Sequence, residues 1–142
     1  HKGHGILYIG RWVTYIFKGQ LFHNTIKETP SIANELLIGW LTHYTIGIAF
    51  AFTLVLVFGK KWLSNPSFLP AMIIGNVTLF IPICIVQPAL GFGIAFSKVP
   101  QAPFLLIKII LIHAVYGLGL YWVAMVVNRF EKSKQKIKIV KY

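Results

Sequence analysis

Residues 35–58 read ELLIGWLTHYTIGIAFAFTLVLVF. Apart from Glu35, Thr42, His43, Thr45 and Thr53 the stretch is apolar, and it ends at Gly59 and the pair Lys60-Lys61. About 20 consecutive apolar residues in a helix cross the hydrocarbon core of a bilayer, so this segment spans a membrane. Working outward, Phe68 to Val86 is a second span, holding Asn76, Thr78 and Pro82. Pro82 removes a backbone donor and is expected to kink it, a defect that neighbouring helices can repair. Phe104 to Val127 is a third span, with Lys108 near its start and His113 deeper.

The whole composition agrees. The 142 residues are 56% hydrophobic and 12% charged, with a mean hydropathy of +0.71, whereas an ordinary soluble domain carries about a quarter charged residues. Three acids, Glu28, Glu35 and Glu131, face 14 Lys and Arg for a net charge of +11. The bases flank apolar runs or crowd the C-terminus, with no soluble domain to carry a basic face. This excludes a nucleic-acid partner and favours anionic lipid at the basic tail. Cys84, the only cysteine, excludes an intrachain disulfide.

The fold class read from this pattern is all-α: a polytopic helical membrane protein with three transmembrane helices and an N-terminal interfacial helix. Ile6 to Phe22 supplies that helix, because Arg11, Lys18 and Gln20 interrupt it before a span can accumulate, while Tyr8, Trp12 and Tyr15 suit the headgroup level. Its bases are expected to snorkel towards phosphate. Thr29-Pro30-Ser31 is a helix-start signal with Thr29 as N-cap. Pro88 to Pro103 is apolar but too short to cross, and reads as an interfacial or re-entrant connector packed on protein. The domains are an interfacial amphipathic segment and outer loop over 1–34, a transmembrane helical bundle over 35–127, and a basic cytoplasmic tail over 128–142. Lys60-Lys61 shares the tail's side, which the positive-inside rule places in the cytoplasm. The chain starts at His1 without a signal-peptide pattern, and an upstream segment is expected.

Ionisable groups inside a bilayer are costly and mark sites. His43 and His113 lie at matched depths, about 12 to 14 Å below one face, each followed four residues later by glycine, Gly47 and Gly117. Gly39, His43 and Gly47 form one small-residue stripe suited to close helix packing, and His113 with Gly117 begins another. Gln87 and His23 fall on the same side, so an outward-facing polar pocket is expected from Glu35, His43, Gln87 and His113, with His23 closing it. Three readings stay open. The histidines make interhelical hydrogen bonds only; or His43, His113 and Glu35 hold a metal, or the two histidines a b-type haem; or the group handles protons or substrate, as in a proton-coupled transporter or intramembrane enzyme. No nucleophile elbow, phosphate loop or HExxH occurs, so an enzyme is the lesser expectation.

Gly10-Arg11-Trp12, Lys18 to His23, Glu35 with Gly39-Trp40, His43-Tyr44, Gly47 to Phe50, Gln87 to Ala95, Ser97, Pro100, and His113 with Gly117 to Tyr121 together resemble a family of small bacterial integral membrane proteins known as a domain of unknown function. The resemblance implies a four-helix protein of the bacterial inner membrane, with a further span upstream of Gly10. It also implies that the family's recurring polar positions match His23, Glu35, His43, Gln87 and His113. It names no activity. The function expected is that of a small accessory or binding component, alone as a homo-oligomer or within a larger membrane complex.

Overall fold

The computed structural model describes residues 4–140, and those residues are helical wherever they are regular. Helix α1 covers His4–Phe17, α2 Glu35–Phe58, α3 Lys60–Ser64, α4 Phe68–Val77, α5 Gln87–Ala89 and α6 Ala102–Val140. A π-helical turn, Pro82–Val86, leads into α5, and a 3₁₀ turn, Ile94–Phe96, lies before α6. Three stretches are long and apolar enough to cross a membrane: Glu35–Phe58, Phe68–Ala89 and Ala102–Lys134. Their surfaces are what lipid requires. Leu56 is 83% exposed, and Phe52, Phe80, Trp122 and Val115 are all more than half exposed, large apolar side chains of the kind lipid accommodates.

Several boundaries differ from the sequence reading, each for a local reason. Helix α1 stops at Phe17, not Phe22, because Gly19 adopts φ 83°. The Gln20 N–H then donates to the Tyr15 carbonyl at 2.9 Å and the Gly19 N–H to that of Ile16 at 2.9 Å, the paired bonds of a Schellman cap. Thr29 does not cap α2. The helix begins at Glu35 after Asn34, which sits at φ 59°. The Glu35 carboxylate reaches back to accept the Ile32 N–H at 3.3 Å.

The second stretch breaks after Val77, four residues before the proline, since Pro82 offers no N–H to the Thr78 carbonyl. Helical pairing resumes with Ile83 N–H donating to Leu79 at 3.2 Å. The stretch reaches Ala89, three residues past the expected end. Helix α6 continues past Val127 without interruption to Val140, so the tail's basic residues up to Val140 extend the third span's own helix.

The chain forms two compact units. The first comprises residues up to Ala49 with Leu79–Ile109, and the second Phe50–Thr78 with the chain from Ile110 onward. In the second unit Leu54, Trp62, Ala71, Ile74 and Ala124 make a buried cluster flanked by Phe58, Leu120 and Tyr121. There Gly75 and Gly117 bring α4 and α6 together: a Cβ on Gly75 would lie 2.7 Å from the Gly117 Cα and 2.8 Å from the His113 carbonyl oxygen. The Trp62 indole donates to Ser67 at 3.1 Å, and Asn128 to Ser64 at 2.8 Å, fixing α3 beside α6.

Candidate functional site

The first unit is organised around Arg11. Gly10 and Gly39 let α1 and α2 touch backbone to backbone: a Cβ on Gly10 would overlap the Glu35 carbonyl, and one on Gly39 the Ile6 carbonyl. This crossing delivers Arg11 to Glu35. Arg11 Nε and Nη2 donate to the two carboxylate oxygens at 2.8 Å each, a bidentate pair with both side chains nearly buried. Nη1 donates to the carbonyls of Ile26 at 3.0 Å and Thr29 at 2.8 Å. Arg11 therefore does not snorkel. Its partner carboxylate costs too much desolvated to be left alone, and one guanidinium joins α1, α2 and the 18–34 loop.

That loop is pinned along its length. The Trp12 indole donates to Leu21 at 2.8 Å and the Tyr15 hydroxyl to Pro30 at 3.2 Å. His23 and Ile26 donate their backbone N–H groups to Ala89 at 2.8 Å and Leu90 at 2.9 Å. Gly91, at φ 83°, passes so close to Asn24 and His23 that a Cβ would strike the Asn24 carbonyl. The apolar connector is thus packed on the loop, with Ala89, Leu90 and Phe96 buried.

His23 lies beneath this seam, 6% exposed, its ring edge-on to Tyr15. Nδ1 is 3.0 Å from Thr29 Oγ1 and 3.3 Å from the Gln20 side-chain amide. The Thr29 hydroxyl, which donates to the Thr25 carbonyl, asks Nδ1 to donate, whereas Gln20 Nε2 asks it to accept, so His23 Nε2 is an acceptor in one tautomer and a donor in the other. Nε2 is buried with no hydrogen-bond partner among the described residues, and the same holds for Oε1 of Gln87, 9% exposed in the same unit. Two buried polar atoms left unpaired in one unit are costly, and such groups call for an explanation.

Burial pushes the His23 imidazole below its ordinary value of 6.5. None of its hydrogen-bond contacts is a carboxylate, and Glu35 is neutralised by Arg11. A depressed folded value means that the unfolded chain binds the extra proton first. The docked loop keeps its full stability above pH 6.5 and loses it as pH falls from 6.5 towards the folded value. Amide-exchange protection at Ile26, whose N–H crosses the seam, is expected to fall over that window, and in His23→Gln it should not change.

The other sequence candidates have contacts of their own. His43, in the first unit, is exposed on α2 against Trp40 and Tyr44, with ring centroids 6.1 and 6.0 Å away. His113, in the second unit, bonds through Nδ1 to Thr78 Oγ1 at 3.1 Å and the Gly75 carbonyl at 3.2 Å. A Cβ on Gly47 would meet nothing within 4 Å, while one on Gly117 would lie 3.0 Å from the Ala71 carbonyl. Asn76 bonds its own helix at Met72 instead of a neighbour. Among the described residues no three His, Cys, Asp or Glu side chains gather closely enough to hold a metal ion.

Sequence reasoning read Arg11 as an interfacial base and Thr29 as an N-cap, and gave Gly10 and Gly75 no packing role. A usable signal existed for Arg11, since a carboxylate at the mouth of a span needs a cation and few were within reach. Residues 4–127 match the model of a family described as a protein of unknown function, DUF2938. No curated protein and no solved structure matches the chain.

Proposed function

Because this chain belongs to the DUF2938 family, whose function is unknown, we propose from its own geometry that it is a small multi-pass membrane protein serving as a binding component. Its site lies under the 18–34 loop of the first unit. The ligand is a small uncharged molecule that hydrogen-bonds His23 Nε2 and donates to Gln87 Oε1. The observation that carries this reading is the pair of buried, unpartnered polar atoms in a unit where Arg11, Glu35 and Thr29 are all hydrogen-bonded. Buried polar atoms are paired in the great majority of cases.

Glu35 and Arg11 frame the site and neutralise each other, which favours an uncharged ligand. The site faces outward and the C-terminus lies in the cytoplasm of a bacterial inner membrane, a topology supported by Lys60-Lys61 and the bases from Arg129 onward.

Native mass spectrometry of the full chain in mild detergent tests the proposal. The wild type is expected to retain a small-molecule adduct that both His23→Phe and Gln87→Leu lose. A bare wild-type mass, or an adduct kept by both variants, refutes it.

A further inference from the structure

The second unit carries a feature independent of that site. A groove of about 210 Å³ runs along α6, lined by Tyr121, Trp122, Met125, Val126 and Arg129. These positions recur at helical spacing and so form one face. Along that face the chemistry changes in a fixed order: the exposed indole of Trp122, then the aliphatic and thioether groups of Val126 and Met125, then the exposed guanidinium of Arg129. Trp122 to Arg129 is about 10 Å along the axis. Lys132, exposed one turn beyond Arg129, continues the positive end.

Charge around this end is one-sided. The Asn128 amide holds Ser64 at 2.8 Å, which brings α3 with its exposed Lys60 and Lys61 beside the same stretch of α6. The only acid of the unit is Glu131, and at nine residues from Trp122 it lies half a turn away, on the opposite face of α6. No carboxylate of the unit can neutralise Arg129 and Lys132 together on the groove face. The negative charge must come from outside.

We propose that this groove binds one anionic phospholipid, its acyl chain laid on Trp122, Met125 and Val126 and its phosphate held by the Arg129 guanidinium with Lys132. A planar guanidinium takes two phosphate oxygens at once. An apolar face ending in cations matches a lipid and not a soluble anion.

The experiment uses the full chain in detergent with phosphatidylglycerol and phosphatidylcholine added in equal amounts, and native mass spectrometry counting each bound lipid. Phosphatidylglycerol is expected to be retained in preference. Arg129→Gln should weaken its retention about fivefold, the effect of one basic residue at an anionic surface, and Arg129→Lys should restore most of it. Trp122→Ala should weaken both lipids alike. Lys18→Gln, in the first unit, should change neither. Equal retention of the two lipids overturns the proposal, as does an Arg129→Gln protein that keeps its preference. Displacement of the lipid by glycerol phosphate at equal concentration overturns it as well, since the acyl chain would then contribute nothing. A dimer mass in place of lipid adducts, lost in Trp122→Ala, would assign the groove to a second copy and refute the lipid.

Discussion

Arg11→Met is expected to destabilise the first unit by about 3–5 kcal/mol, the cost of leaving one partner of a buried ion pair without the other. The carboxylate of Glu35 would remain, 8% exposed, with only the Ile32 N–H to bond it. The Ile26 and Thr29 carbonyls would lose their donor at the same time, so the 18–34 loop should loosen together with the helix crossing. Glu35→Leu alone should cost less, because Arg11 keeps its two carbonyl acceptors. The double variant Arg11→Met with Glu35→Leu separates charge from packing. Replacing both members of a buried pair by apolar groups is often nearly neutral, but here two carbonyl bonds of about 1 kcal/mol each are not replaced. The double variant should therefore recover most of the loss, remaining about 2 kcal/mol short of the wild type. Tryptophan fluorescence during denaturation in micelles measures all three, with Trp12 and Trp40 in the affected unit. A single Arg11→Met with wild-type stability would show that the pair holds nothing.

Gly10→Ala should be damaging in a way that helix propensity alone would not suggest. Alanine is the better helix former by about 0.8–1.0 kcal/mol, so an unobstructed glycine in a helix gains from the change. At Gly10 the added methyl would overlap the Glu35 carbonyl and come within 2.7 Å of the Gly39 nitrogen. Both obstacles are backbone and cannot rotate aside. The helices must separate, and an overpacked contact costs about 1–3 kcal/mol or more, to which any lengthening of the Arg11–Glu35 bonds adds. Gly47→Ala is the matching control, since its Cβ would meet nothing within 4 Å. The expected result is a difference of sign: a loss of at least about 2 kcal/mol for Gly10→Ala and a gain approaching 1 kcal/mol for Gly47→Ala. If both variants shift the denaturation midpoint alike, the close crossing is wrong.

The spans were legible because hydrophobic length is a property of the sequence itself. Glu35 to Phe58 agrees with the observed helix at both ends, and the kink expected of Pro82 marks the break after Val77. What composition could not supply was which neighbour each polar group chooses. Arg11 read as an interfacial base because its partner lies 24 residues away, and that distance carries no periodicity. Thr29-Pro30 has the form of a helix start, yet tertiary bonds from His23 and Arg11 claim Thr29 and its carbonyl first. His23 and Gln87 stood out by depth and side, but their lack of partners is a matter of three-dimensional packing. The same holds for Gly10 and Gly75, two glycines unremarkable in sequence whose neighbours are other backbones.

The Arg11–Glu35 pair also bears on how the chain is made. A ribosome delivers Arg11 before Glu35, which follows 24 positions later, so the cation already exists when the carboxylate is made. Partition of α2 into lipid is opposed by any charge it carries. An upstream guanidinium that can close on Glu35 through a short loop removes that opposition while the rest of the protein is still unsynthesised. The order of the two residues along the chain thus places the neutralising cation ahead of the carboxylate it meets.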